Sequence, residues 1–256
     1  MNYFEKRYNE KSVDKKKVKH DFWRYSHNLG KKIDDFEVDY IFNNIKNILK
    51  SRTNIKKIKL LDFGCGTGYH SIQLFKKLDS ETSLEEIKVL GIDRNKNYVQ
   101  QFIYNIKNDY NFFKKEKHFQ VKQGTINIVE KLLLKDCKDD QSINIVILIG
   151  VIQYLSYKEI KRLGKFLGNL NLNDTYIIIK HPLSYGNTII KEETREGVLY
   201  NSVYKNFEDV YHPLADHFNF IKMEKCYLGK KLTSKEKLEI SPNKDTCLVY
   251  IHLKNK

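Results

Sequence analysis

Alanine, proline, tryptophan and cysteine are all scarce in this chain of 256 residues. Ala215 is the only alanine, and there are three prolines and one tryptophan. Lysine, asparagine, isoleucine and tyrosine are abundant instead, which is the bias of an AT-rich coding sequence. Because the chain has no proline-rich stretch, no glycine–serine linker and no internal repeat, its composition excludes fibrous and low-complexity classes and predicts a globular fold.

The four cysteines, Cys65, Cys137, Cys226 and Cys247, are widely spaced and form no Cys-x-x-Cys pair. The sequence therefore predicts neither a disulfide framework nor a metal site. The longest apolar run, residues 145–152, is far shorter than the roughly 20 residues of a membrane span. The first residues also lack the apolar core of a signal peptide. We expect a cytoplasmic protein with no membrane partner.

Positive charge is in excess. The net charge is +14, and residues 1–60 hold 16 Lys and Arg against 8 Asp and Glu, with the densest cluster at 15–17. A basic surface of this kind is one feature of proteins that bind nucleic acid. The lysine bias of the whole composition explains the same charge as a solvated face without a partner. A nucleic-acid partner is therefore a hypothesis, but not the favoured one.

Hydrophobic periodicity predicts an α/β fold. In the polar first fifty residues, six side chains recur at helical spacing and predict an amphipathic helix: Phe36, Tyr40, Ile41, Ile45, Ile48 and Leu49. Strands are predicted at 58–63, 88–93, 118–123, 143–149, 174–180, 219–228 and 245–253. Because helical stretches alternate with most of these strands, a parallel sheet is expected.

Two helix starts can be read from capping residues. Ser156 stands three residues before Glu159, which is the spacing of a capping box. Asn206 precedes two acidic residues and predicts a second cap. Pro213 falls inside the second helical pattern and is expected to shorten that helix.

The most specific functional signal is the segment Leu-Leu-Asp-Phe-Gly-Cys-Gly-Thr-Gly at residues 60–68. A buried-strand pattern runs into a turn with glycine at every second position, and a helical pattern opens at Tyr69. Glycine permits positive φ and lets a ligand approach the main chain, and a helix start presents free N–H groups. A dinucleotide fingerprint would need its third glycine at position 69. The turn therefore predicts a nucleotide-type ligand that is not a dinucleotide.

A second predicted strand ends in an acidic residue. Asp93 closes the strand at 88–93 and stands 25 residues after Gly68. In Rossmann-like folds a carboxylate at this place accepts hydrogen bonds from ribose hydroxyls. The two segments together point to one binding site for a ribose-containing ligand.

The glycine turn with Asp62, and the second strand with Asp93, resemble the motifs of class I S-adenosylmethionine-dependent methyltransferases. The resemblance covers about residues 55–256. It implies a seven-stranded, mostly parallel Rossmann-like sheet with helices on both faces and an antiparallel last strand. It also implies a methyltransferase domain at 55–256, preceded by an N-terminal helical cap or lid at 1–54.

The same resemblance implies the cofactor, S-adenosylmethionine, and its contacts. The glycine turn would hold the methionine part, Asp93 the ribose, and Arg94 would flank the adenine. Thr125 stands after the third strand, where the family often has an acidic residue that reads the adenine. The implied cofactor-binding residues are Asp62, Gly64, Cys65, Gly66, Gly68, Asp93, Arg94, Thr125, Ile126 and Gly150.

Residues for the acceptor side follow from their places in the pattern. His181 follows the fifth strand directly, Tyr154 follows the fourth, and His27 lies in an aromatic and basic N-terminal stretch; these are the predicted catalytic residues. Arg24 in the same stretch and Tyr185 in the long insert at 183–205 are the predicted substrate-binding residues. For the N-terminal stretch, an amphipathic helix that covers the sheet edge remains an equal alternative to a lid.

Missing motifs narrow the expected reaction. The Asn/Asp-Pro-Pro-aromatic motif of base-amino methyltransferases is absent, and no cysteine stands beside a proline as a pyrimidine-C5 nucleophile. The favoured hypothesis is an enzyme that methylates an O or N atom of a small polar acceptor. The alternatives are an RNA methyltransferase with a basic N-terminal face and a catalytically silent, methyltransferase-like partner subunit. The sequence leaves the oligomeric state undetermined.

Overall fold

The computed structural model of the chain describes residues 28–108, 116–126, 128, 140–169, 174–195, 198–225 and 246–256. The predicted substrate residue Arg24 and the predicted catalytic residue His27 lie outside these ranges, as does the rest of the first 27 residues.

Seven strands form one sheet in the order β3-β2-β1-β4-β5-β9-β8. Their bounds are β1 Lys57–Phe63, β2 Glu86–Asp93, β3 Phe119–Gln123, β4 Ser142–Ile149, β5 Thr175–Ser184, β8 Phe218–Lys225 and β9 Thr246–Asn255. β1 pairs in parallel with β2 and β4, β2 pairs in parallel with β3, and β8 pairs antiparallel with β9. The predicted seven-stranded, mostly parallel sheet with an antiparallel end is therefore confirmed.

A separate two-stranded sheet occupies the insert that follows β5. β6 (Ile189–Arg195) and β7 (Val198–Tyr204) are antiparallel and run in register from the pair Ile189–Tyr204 to the pair Arg195–Val198. The sequence analysis predicted the insert but not its strands. The two hairpin strands contain more polar residues than the central strands of the main sheet, so their sequence signal is weaker.

The helices of the described residues are α1 Asn28–Ser51, α2 Tyr69–Glu81, α3 Lys96–Asn108, α4 Tyr157–Asn169 and α5 Phe207–Tyr211.

The predicted helix starts of α4 and α5 are both observed. Before α4, the Ser156 N–H donates to Glu159 Oε2 at 2.7 Å, and the Glu159 N–H donates to Ser156 Oγ at 3.3 Å, which completes the capping box. Before α5, Asn206 Oδ1 accepts from the N–H of Asp209 at 2.8 Å. α5 ends at Tyr211, two residues before Pro213.

The chain divides into two compact units. Of the described residues, the first contains 28–108, 116–126, 128, 140–147 and 174–176, and the second contains 148–169, 177–195, 198–225 and 246–256. α1 belongs to the first unit together with β1, β2 and β3. The predicted boundary between residues 54 and 55 does not coincide with this division and stays a prediction.

In the first unit, α1 packs on α2 through Ile41, Phe42 and Ile45, which are buried. The predicted amphipathic helix is present, but its buried face is rotated from the expected one. Of the six residues predicted for the apolar face, Phe36, Tyr40, Ile48 and Leu49 are only half-buried. Ile33, Val38 and the acidic residues Asp34 and Glu37 are buried instead. A carboxylate on an inward face has no apolar signature, so periodicity alone misplaces the centre of the stripe.

Within the described ranges, none of the helices combines the length and the apolar composition needed to cross a membrane.

The rotated face of α1 gives a direct stability test. Replacing Ile45, which is fully buried, by alanine removes packed methyl groups, and it is expected to lower the free energy of unfolding by about 2 to 5 kcal/mol. Ile48→Ala is the matched control, because Ile48 is only half-buried and should lose clearly less. Urea unfolding of both variants measures the difference. Equal losses would contradict the observed face.

Candidate functional site

The glycine turn after β1 needs its glycines for conformational reasons. Gly64, Gly66 and Gly68 have φ values of 82°, 53° and 84°, all in the left-handed region that disfavours side chains. Gly68 is also the N-cap of α2, and its carbonyl accepts from the N–H of Ile72 at 2.9 Å. Glycine therefore stands at every second position of the turn because the backbone has a left-handed conformation at each of these residues.

Hydrogen bonds tie this turn to the end of β2. The N–H groups of Gly64 and Cys65 donate to the carbonyl of Ile92 at 2.7 and 3.1 Å. The Gly66 N–H donates to Asp93 Oδ2 at 2.9 Å, while Asp93 Oδ1 accepts from the Asn95 N–H at 2.8 Å. The two strongest sequence signals thus meet directly at the ends of β1 and β2.

The glycines of this region differ in what surrounds them. No heavy atom of the described residues comes within 4 Å of a Cβ built on Gly66. A Cβ on Gly68 would overlap the ring of Phe102, and one on Gly91 would lie 2.6 Å from the same ring. Gly68 therefore makes room for core packing, whereas Gly66 opens the main chain to free space.

Asp62 is buried beside the turn and accepts a 2.6 Å hydrogen bond from Ser71 Oγ on α2. Burial raises the pKa of the Asp62 carboxyl to about 6; the Ser71 hydrogen bond and the charge of His70 act in the opposite direction. The carboxyl is therefore still largely ionised at neutral pH. Burial likewise raises the pKa of the Cys65 thiol, so this free cysteine stays neutral.

The segment after β3 joins the same region through its backbone. The Gly124 N–H donates to the carbonyl of Asp93 at 2.8 Å. Of the next two residues, Thr125 is exposed and Ile126 is buried, and Arg94 on the neighbouring loop is exposed. The cofactor contacts of Arg94, Thr125 and Ile126 stay predictions.

Gly150 and Tyr154 lie in the second unit, after β4. Gly150 has φ of 66°, and no heavy atom of the described residues lies within 4 Å of a Cβ built on it. Its N–H donates to the carbonyl of Lys180 at 3.2 Å. Tyr154 ends a single turn of 3₁₀ helix at Ile152–Tyr154 and is half-buried. The predicted contact of Gly150 with the cofactor stays a prediction.

His181 is fully buried in β5, and its Nε2 accepts a hydrogen bond from the N–H of Lys205 at 3.1 Å. Since Nε2 is the acceptor, the proton of the neutral ring lies on Nδ1. Burial, with the charge of Lys205, lowers the pKa of His181 to about 3. Nδ1 is buried and has no hydrogen-bond partner among the described residues. This geometry favours a fixed hydrogen-bonding role over proton abstraction, and the predicted catalytic role stays a prediction.

Lys205 connects His181 to the segment after β4. Lys205 is itself buried, and its Nζ donates to the carbonyl of Ile152 at 3.0 Å. Its own carbonyl accepts from the Ser184 N–H at 3.1 Å. The base of the β6–β7 hairpin is therefore joined to β5 and to the 3₁₀ turn within the second unit.

The predicted substrate residue Tyr185 is exposed, and Lys225 Nζ lies over its ring at 5.5 Å from the centroid. That contact is a cation–π pair within the second unit. Whether Tyr185 meets an acceptor stays a prediction.

Four residues that shape these sites escaped the sequence analysis: Ser71, Phe102, Asn105 and Lys205. Asn105 Nδ2 donates to the carbonyl of Thr67 at 3.0 Å and so holds the turn from α3. Only Ser71 had a usable signal, because a small hydroxyl residue in the first turn after a glycine turn faces the preceding strand. The other three act through contacts that are distant in sequence and leave no local pattern.

Comparison with known proteins identifies the relatives of this fold. A family model described as a methyltransferase domain matches residues 54–248. No curated protein matches the chain significantly in sequence. Among solved structures, one described as an S-adenosylmethionine dependent methyltransferase from Listeria monocytogenes is 14% identical with a TM-score of 0.55, covering 87% of this chain and 99% of that one.

Two further solved structures have the same fold. The magnesium protoporphyrin IX methyltransferase of Synechocystis PCC 6803, with bound S-adenosylmethionine, is 13% identical, with a TM-score of 0.51 and coverage of 90% and 85%. The [4+2]-cyclase SpnF is 10% identical, with a TM-score of 0.56 and coverage of 83% and 80%. At these identities the likeness establishes the fold alone.

The residues present fit S-adenosylmethionine. The turn at Gly66 leaves the main chain open where a side chain would block a ligand, and the Asp93 carboxylate beside it is held by two backbone N–H groups. A carboxylate fixed in this way is prepared to accept from ribose hydroxyls without reorganisation.

The contrast between Gly66 and Gly68 predicts that substitution of Gly66 weakens ligand binding and that substitution of Gly68 lowers stability. Gly66→Ala places a methyl group in open space and costs about 1 to 2 kcal/mol of left-handed strain, so the variant should fold but bind S-adenosylhomocysteine at least roughly tenfold more weakly, about 1.4 kcal/mol. Gly68→Ala adds a clash with Phe102 and should lose clearly more stability. Calorimetry and thermal unfolding separate the two effects. Unchanged binding by Gly66→Ala would remove this turn from the site.

The raised pKa of Asp62 predicts a pH-dependent stability. Between pH 3.8 and about 6 the folded protein retains a proton that the unfolded chain has lost, so Asp62 lowers the stability progressively as pH rises through this window. Relative to Asp62→Asn, the wild type should lose roughly 3 kcal/mol across it, the equivalent of about two pKa units. Urea unfolding of both proteins from pH 4 to pH 7 measures this. A pH-independent difference would contradict the shift.

Proposed function

The chain belongs to the methyltransferase-domain family matched at residues 54–248, and on that premise we propose that it methylates an O or N atom of a small polar acceptor. It is an S-adenosylmethionine-dependent methyltransferase of class I. This membership favours the enzyme over the catalytically silent partner subunit. The atom that is methylated and the class of acceptor are the proposed part.

The hydrogen bond between the Gly66 N–H and Asp93 is the observation that carries the cofactor site. In this proposal the Asp93 carboxylate accepts from the ribose hydroxyls, and the open main chain at Gly66 lies against the methionine part. Asp62, Gly64, Cys65 and Gly68 shape the turn. Arg94, Thr125, Ile126 and Gly150 remain proposed contacts from the resemblance.

When bound, S-adenosylmethionine supplies a methyl group on a sulfonium that acts as the leaving group. The contribution of the protein is alignment of the acceptor atom and exclusion of water. The backbone of the glycine turn is suited to alignment, since it is fixed by hydrogen bonds to Ile92 and Asp93 before any ligand arrives.

The state of His181 supports an acceptor that needs no strong base. Its Nε2 lone pair is used by the N–H of Lys205, and burial first, with the charge of Lys205, lowers its pKa to about 3. A neutral hydroxyl acceptor would need a base with a pKa near the working pH. A neutral amine or an anionic oxygen is nucleophilic enough to attack the methyl group without a base removing a proton in that step. We therefore place amines, carboxylates and phosphates ahead of neutral alcohols as acceptors.

A binding experiment tests the cofactor site. S-adenosylhomocysteine should bind the full chain, and Asp93→Ala should weaken that binding roughly 10- to 100-fold, because a charge-assisted hydrogen bond contributes about 1.5 to 3 kcal/mol. Glu81→Ala, at the exposed end of α2, is the control and should bind normally. Titration calorimetry measures all three proteins. Absence of binding by the wild type would overturn the proposal.

The net charge of +14 supports one rival acceptor, RNA. Methyl transfer from radiolabelled cofactor to small-molecule pools and to total RNA separates the two. If RNA is the acceptor, the wild type should transfer label to RNA at low salt. This labelling should fall steeply as salt is raised, because RNA binding through phosphate contacts releases counterions and is weakened by salt. Label that stays in the small-molecule fraction at every salt concentration supports the proposed function.

A further inference from the structure

A second group of polar side chains lies in the first unit, between α1 and α2, and has no part in the cofactor site. Asp34 and Glu37 project from α1, and His70 is the second residue of α2. One donor atom of each residue lies within 4.8 Å of the donor atoms of the other two. We name these three residues the helix-pair triad.

The triad is buried in the interface between α1 and α2, whereas the other charged pairs that join these helices, Lys46–Glu81 and Lys77–Asp39, are more exposed. Asp34 and Glu37 are 5% and 1% exposed, and the His70 side chain is 14% exposed. Ile41, Phe42 and Ile45 continue the same face of α1. Packing alone does not require charged groups here, because apolar residues of similar size in place of a buried ion pair are often neutral or stabilising.

The spacing of the triad follows from the two helices. Asp34 and Glu37 stand three residues apart, so their carboxylates lie on one face of α1, one turn apart. His70 Nε2 lies 3.0 Å from Glu37 Oε2. Two ligands of one tetrahedral ion lie about 3.4 Å apart at bond lengths of 2.0 to 2.2 Å. Gathering all three donors around an ion therefore needs side-chain movements of about 1 Å.

The donor set selects a class of ion. One imidazole nitrogen and two carboxylate oxygens suit Zn²⁺, Mn²⁺ or Fe²⁺, whereas Ca²⁺ and Mg²⁺ prefer oxygen alone. The imidazole also distinguishes the triad from an ordinary patch of acidic residues. Three protein ligands leave a fourth position for water.

We propose that Asp34, Glu37 and His70 bind one first-row divalent metal ion, with Zn²⁺ as the reference ion, and that this ion fastens α1 to α2. The proposal does not depend on the acceptor or on the cofactor site. Its interest lies in the position of His70, two residues after the N-cap Gly68 that closes the glycine turn. A metal at this place would fix the start of the helix that supports the turn.

The rival explanation is a buried ion pair. Burial alone would lower the pKa of His70, but the hydrogen bond and charge of Glu37, followed by the charges of Asp34 and Asp62, raise it above its ordinary value. A protonated His70 beside Glu37 would also join the two helices. The two explanations predict different results in a metal titration. A metal site binds one ion per chain, whereas an ion pair binds none.

Zn²⁺ alone, titrated into the full chain after removal of any affinity tag and dialysis against EDTA, tests the proposal. Calorimetry should give one equivalent per chain, and the thermal midpoint should rise with free Zn²⁺. Glu37→Gln and His70→Gln should each weaken binding beyond the roughly 10- to 100-fold that loss of an outer-shell partner costs. Mn²⁺ in the same titration tests the class of ion.

His212→Gln is the matched control, because His212 and Glu208 form a similar pair, 2.8 Å apart, on the exposed face of α5. Zn²⁺ binding should be unchanged in this variant. Unfolding of each variant in EDTA verifies that it folds, and Asp34→Asn replaces any variant that does not. Absence of stoichiometric Zn²⁺ binding by the wild type, or binding that survives both triad substitutions, would overturn the proposal and leave the ion pair.

Discussion

The hydrogen bond from the Gly66 N–H to Asp93 is the interaction on which the cofactor site depends. It joins the turn after β1 to the end of β2, two elements that a parallel sheet already places side by side. Neither partner is sufficient alone. Without a left-handed glycine the N–H would not point at β2, and without a carboxylate at the end of β2 the turn would have no fixed acceptor. The sheet register, the turn conformation and the acidic residue therefore depend on one another.

Glycine serves two separate purposes in this region, and the pattern Gly-x-Gly-x-Gly conceals the difference. Gly66 and Gly150 combine positive φ with open space at the position of a Cβ. Gly68 combines positive φ with a ring of the core directly against it, and Gly91 has the same ring as a neighbour without the unusual φ. Phe102 thus packs closely against the glycine turn and against β2, because neither glycine has a side chain. A motif search counts these glycines alike, although only the first kind leaves room for a ligand.

Most of the fold, and the meeting of the glycine turn with Asp93, could be predicted from the sequence, because both are encoded locally. The strands β1, β2, β4 and β5 are rich in apolar residues, and the turn and Asp93 are short motifs at strand ends. What escaped prediction depends on tertiary contacts. The carboxylates of Asp34 and Glu37 are buried and interrupt the apolar periodicity of α1, so the pattern does not locate the buried face of this helix. No sequence feature near His181 indicates that the N–H of Lys205, 24 residues later, donates a hydrogen bond to its Nε2.

The fold does not identify the acceptor. A [4+2]-cyclase and a porphyrin methyltransferase have the same fold at similar TM-scores, so a conserved sheet and cofactor turn do not determine which atom reacts. A histidine whose Nε2 is an acceptor, whose pKa burial lowers to about 3 and whose Nδ1 proton is buried can donate a hydrogen bond but is a poor proton acceptor near neutral pH. Because such a group is a poor base, the function proposed above places neutral amines and anionic oxygens ahead of neutral alcohols as acceptors.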